Sequence, residues 1–90
     1  MIIDSNTYLN ITTNTTTQVY TGPCTLASIT INTPAAGAIS IIDNTTGTTA
    51  NIGTIASSSA AGTYTYNVQC SKGLRIVTAA STDITVAYRV

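Results

Sequence analysis

The C-terminal stretch, residues 72–90, reads KGLRIVTAASTDITVAYRV and limits the fold more than any other part of the chain. Leu74, Ile76 and Thr78 alternate with Arg75, Val77 and Ala79. After a short polar break, Ile84, Val86 and Tyr88 alternate with Thr85, Ala87 and Arg89. Successive side chains on a strand point to opposite faces, so this alternation of β-branched and aromatic residues predicts two strands, each with one buried face. With only Ala80, Ser81 and Thr82 between them, an antiparallel hairpin is the expected arrangement. Gly73 stands where the chain turns into the first of these strands, a place that favours a residue without a Cβ.

The preceding sequence repeats the theme. Residues 8–12 and 16–21 are expected as two short strands with Thr and Asn outward, and Gly22-Pro23 as a turn. A strand over 24–32 follows. Its apolar residues Leu26 and Ile29/Ile31 fall on opposite parities, which predicts a bulge near Ala27–Ser28. Pro34 closes that strand, and residues 38–43 form another, with Ile39 and Ile41 on one face and Ile42 on the other. Asp43 to Gly47, DNTTG, is turn chemistry, and Gly47 tolerates a positive φ. A weaker strand over 49–55, a loop over 56–62 and an alternating strand over 63–70 complete the set.

Short strands at this spacing, with no helical periodicity, predict an all-β fold: a small antiparallel β-sandwich or jelly roll of seven to eight short strands. The 90 residues form one domain, with residues 1–7 as an arm. The expected core is Leu26, Ile29, Ile31, Ile39, Ile41, Ile52, Tyr66, Val68, Leu74, Ile76, Ile84, Val86 and Tyr88.

Charge narrows the range of functions. Charged residues make up only 7 % of the chain, and three basic residues balance three acidic ones. That argues against nucleic acid, anionic membrane or any other partner held by charge, and it removes the mutual repulsion that keeps proteins apart. No His or Glu is present, and Asp4, Asp43 and Asp83 all lie beside turn residues, so catalysis by a nucleophile and a neutral-pH base is not expected. Two cysteines without His do not furnish the four ligands of a structural zinc site, and no metal or cofactor is expected. The N-terminus lacks a basic segment followed by an apolar run, so it does not read as a secretory signal. Cys24 and Cys70 are accordingly expected as small buried hydrophobes rather than as a disulfide.

The candidate interaction residues follow from the same reading. Ile2 and Ile3 are apolar but have no place in the predicted core, which makes the arm the first candidate contact. The loops at 33–37 and 56–62 come second. Tyr8, Tyr20, Tyr64, Tyr66 and Tyr88 carry rings able to stack on sugars, the first three as interaction candidates, although tyrosines on strands more often pack a core or its rim. Arg75 and Arg89, with Lys72, are placed either to meet a partner's carboxylates or to keep strand edges from aggregating.

Residues 20–90 also carry a set of motifs: Gly22-Pro23-Cys24 leading a strand, Asp43 to Gly47 after an apolar strand, the Lys72-Gly73-Leu74 turn, and a final strand DITVAYR from Asp83 to Arg89. In these the chain resembles small virion structural proteins of tailed bacteriophages. The resemblance implies a virion component of capsid decoration, cement or head-fibre type, made in the bacterial host cytoplasm, and the expected role is a capsid decoration or cement protein on the virion surface. Its implied partners are the major capsid protein and further copies of itself, with a trimer favoured. It implies no catalytic residue. A tail or head-fibre component, and a carbohydrate-binding module for host adsorption, are the alternatives.

Overall fold

A computed structural model describes residues 6–34, 37–47, 49–79 and 82–90. Eight strands follow one another: β1 (Thr7–Ile11), β2 (Thr16–Thr21), β3 (Cys24–Thr33), β4 (Ile39–Asp43), β5 (Asn51–Ile55), β6 (Gly62–Cys70), β7 (Gly73–Val77) and β8 (Asp83–Arg89). They form two four-stranded antiparallel sheets, ordered β1-β8-β3-β6 and β2-β7-β4-β5. Two sheets with these orders make a jelly-roll sandwich. The expected all-β class is therefore the observed one.

The core lies between the sheets. One sheet contributes Ile11, Leu26, Ile29, Ile31, Ile84 and Val86, and the other Ile39, Ile41, Ile55, Leu74 and Ile76. Cys24 and Cys70, directly opposite each other on β3 and β6, close one end. Of the residues expected in the core, Ile52, Tyr66, Val68 and Tyr88 are only partly buried. Tyr66 and Val68 lie on β6, an edge strand with no further strand on its free side to cover them. Tyr88 instead leans across to Tyr20 of the opposite sheet, with ring centroids 6.2 Å apart.

The C-terminal hairpin does not form. β7 pairs with β2 and β4, whereas β8 pairs with β1 and β3 in the other sheet. The cause lies in Thr78, which is only 4 % exposed. Its hydroxyl is bonded to the Thr13 carbonyl (2.6 Å), and its N–H donates to the Thr15 carbonyl (2.9 Å). These bonds attach the end of β7 to the β1–β2 connection, and the chain crosses to the other sheet instead of turning back. Leu74 and Ile76 then face Ile84 and Val86 across the core rather than lying beside them.

The expected bulge is present. Ala27 is the extra residue of β3 between Leu26 and Ser28, which oppose consecutive residues Tyr88 and Ala87 of β8. At the same level β6 in turn holds one more residue than β3, and Asn67 adopts φ 53° there. Asn is among the few residues that accept this left-handed conformation cheaply.

Candidate interaction surface

Alternation along the strands of the β1-β8-β3-β6 sheet sends its apolar residues inward and leaves a face of short polar side chains outside. Register sets them in rows. Asn10 lies opposite Thr85, Thr85 opposite Thr30, and Thr30 opposite Thr63. In the next row Tyr8 lies opposite Ala87, Ala87 opposite Ser28, and Ser28 opposite Thr65. The Thr30 and Thr63 hydroxyls are 3.0 Å apart and hydrogen-bonded. Asp83 is the one acidic group of this face, and its Oδ1 accepts from Asn10 Nδ2 (3.0 Å) and Asn32 Nδ2 (3.1 Å). Arg89 is the one basic group, at the other end of β8, and it donates to Asn6 Oδ1 (3.2 Å). Hydroxyls and amides both donate and accept, so such a face matches many partner geometries without removing a charge from water.

The outer face of the other sheet is built differently. Ile42 is outward yet only 1 % exposed, because the chain after β4 folds back over this face. The guanidinium of Arg75, Ile42's neighbour in register, donates to Gln18 Oε1 (2.8 Å) and to the Thr45 carbonyl (3.3 Å), while its Nε is buried without a partner. Gln18 Nε2 is within hydrogen-bond distance of the carbonyls of Tyr20 (3.0 Å) and Asn44 (2.9 Å). Asp43, whose register partner Leu74 faces the core, lies not on this outer face but at the end of the sandwich, where its carboxylate accepts N–H bonds from Ser71 (2.9 Å), Lys72 (2.8 Å) and Gly73 (3.2 Å). Partial burial opposes its ionisation, but the three N–H bonds and the Lys72 charge outweigh that and hold the carboxyl below the usual aspartate range. The DNTTG and KGL turns, far apart in sequence, thus form one clamp. Gly73 belongs to it through close approach rather than through turn geometry, since a Cβ here would lie 2.8 Å from the Tyr20 carbonyl oxygen.

The residues singled out from sequence do not converge on one site. Ile2 and Ile3 lie outside the described residues, as does part of the 33–37 loop. Tyr8, 71 % exposed, and Arg89 share the polar face described above. Tyr20 and Tyr64 pack against the core, and the Tyr64 hydroxyl donates to the Ala60 carbonyl (2.8 Å). Arg75 is held beneath the β4–β5 connection. Asn10, Thr30, Asn32, Thr63 and Thr85 were not among the candidates. Their signal was present in the sequence as Thr and Asn at the parity opposite to the apolar residues.

Cys24 and Cys70 are free and buried, and burial pushes both thiols up, Cys70 to about 12. A thiol held protonated in this way is a poor nucleophile. Among the described residues there is no pocket, and no group of three or more His, Cys, Asp or Glu is placed to hold a metal ion. No helix there is long and apolar enough to cross a membrane. No family model matches the chain, and comparison with curated proteins and with solved structures gives no match either.

Proposed function

We propose that this protein is a bacteriophage virion structural protein that decorates and reinforces the capsid lattice, with the major capsid protein as its partner. The observation that supports this best is the outer face of the β1-β8-β3-β6 sheet, with its rows of hydroxyl and amide groups and a single charge of each sign. The sequence resemblance noted above points the same way. Each neutral hydrogen bond on such a face contributes only about 1 kcal/mol. One copy therefore binds weakly, and repetition over a lattice together with self-association turns many weak contacts into durable attachment.

Quantitative mass spectrometry of purified virions tests the reading directly. A decoration protein is present in simple ratio to the major capsid protein, whereas a dozen copies or fewer would move it to a tail, vertex or head fibre. Virions lacking the protein should break at lower temperature and under milder osmotic shock. Attachment should change little with added salt, because the face carries so little charge.

One observation keeps a second reading in view. Tyr8 is the largely exposed aromatic ring among the described residues, and a carbohydrate-binding module needs such a ring. Glycan binding that disappears in Tyr8→Ala, with the protein absent from virions, would transfer the function to host adsorption.

A further inference from the structure

Four strands of this sandwich have a free edge: β1 and β6 in one sheet, β2 and β5 in the other. Three of them are interrupted. β2 shifts register against β7 between Gln18 and Tyr20, β5 lies against the shift between Ile41 and Ile42 of β4, and β6 carries the left-handed Asn67. Such irregularities bend an edge and obstruct the docking of another strand. β1 has none. It runs in unbroken register with β8 from Thr7↔Tyr88 to Ile11↔Ile84, contains no charge and no proline, and exposes Tyr8. Among the described residues no hydrogen bond reaches its backbone from the free side.

We infer that the β1 edge pairs with β1 of a second copy, antiparallel about a twofold axis. This deepens the self-association in the proposed function and rests on that part of it alone. A twofold axis perpendicular to the sheet keeps inner faces inner, so only pairings between residues of equal parity are allowed. The one that uses all of β1 sets Leu9 opposite Leu9 of the second copy, Tyr8 opposite Asn10, and Thr7 opposite Ile11. Leu9, which packs against the core in each copy, then continues the apolar layer across the junction. Tyr8 gains the cover it lacks.

Charge placement favours a second copy of this chain over a foreign strand. Continuing the β1–β8 register, Asp83 falls on the rung of residue 12 and Arg89 on the rung of residue 6, where its bond to Asn6 already lies. The twofold pairing sets residue 12 opposite residue 6 of the other copy. Each Asp83 therefore shares a rung with the other copy's Arg89, three strand spacings or about 14 Å away, an attraction felt at low ionic strength and largely screened at physiological salt, while like charges stand on different rungs. With zero net charge, no overall repulsion opposes the association. The two polar faces merge into one eight-stranded surface, and the solution unit is a dimer rather than the trimer favoured by the resemblance.

Sedimentation equilibrium of the full chain under reducing conditions should give a mass rising with concentration from 9.2 kDa to twice that value. Tyr8→Lys places a charge at the junction and should weaken dimerisation on the order of tenfold or more. Thr54→Lys, on the β5 edge, should leave it unchanged. Because Tyr8 is exposed, the lysine variant should match the parent melting profile at concentrations where the parent is monomeric and fall below it where the parent is paired, which separates lost pairing from lost folding. Register has its own readout: Tyr8→Cys mixed with Asn10→Cys should oxidise to a mixed disulfide in preference to either self-pair. A monomer up to millimolar concentration, a trimer, or a dimer indifferent to Tyr8→Lys would overturn the inference. These measurements use purified protein alone, so their failure would leave the virion copy number, and with it the decoration reading, untouched.

Discussion

The outer faces of the two sheets are made from the same kinds of side chain but use them for opposite purposes. On the β2-β7-β4-β5 sheet, Gln18 and Arg75 direct their bonding capacity at the chain itself and fasten the turn after β4 to the strands. On the β1-β8-β3-β6 sheet, Asn10, Asn32, Thr30 and Thr63 bond sideways to neighbouring strands and remain open to solvent. Polarity alone therefore does not mark a binding surface. A polar group serves recognition only where the fold has not already saturated and covered it.

Substitutions should separate the two faces. Gly73→Ala should be the most damaging, by roughly 2–3 kcal/mol, because its Cβ meets a backbone oxygen that cannot move without displacing β2. Urea denaturation measures this loss. Asp43→Ala removes three N–H partners and should cost about 2 kcal/mol at neutral pH. Its carboxyl is held below the usual range, so the stability it provides is complete above about pH 4 and is lost as pH falls through its lower folded value. Parent and variant should therefore converge in strong acid, and a constant gap down to the lowest pH would count against the clamp. The buried thiols give an intermediate test: alkylation of Cys24 and Cys70 should be negligible in the native protein and track global unfolding on adding denaturant. The smallest effect on stability should come from Thr30→Val with Thr63→Val, each within about 0.5 kcal/mol. The same pair should nevertheless weaken capsid attachment, which a co-sedimentation assay with stripped capsids would detect.

Much of the fold was legible in the sequence because it rests on local rules. Alternation identified the strands, the parity switch between Leu26 and Ile29 located the bulge, and Gly47 adopts the positive φ its turn requires. The hairpin between β7 and β8 was misread because the bonds that prevent it join Thr78 to Thr13 and Thr15, distant in sequence. Ile42 looked like an outward residue and is one. Its burial depends on the fold-back of the segment after β4, which alternation cannot reveal. The candidate surface was partly legible for the same reason as the strands. The parity that fixes the core also fixes what faces away from it, but in a chain so rich in Thr and Asn the residues of one outer face are not distinguishable from those of turns and edges until the strands are paired.

The strand order has a consequence in time as well as in space. The pairs β4–β5, β3–β6, β2–β7 and β1–β8 are nested, each enclosing the one before, and β4–β5 alone joins consecutive strands. A chain arranged in this way can close as a zipper from its central turn, each step bringing the next pair within reach without a new long search. Substitutions at Gly47 should then slow folding, whereas those in β1 should chiefly speed unfolding, since in such a zipper its pairing would be the last to form and the first to open. The strand inferred to join two copies is also the one whose release would begin to undo each of them, so pairing would lengthen the lifetime of the native protein at its most vulnerable point.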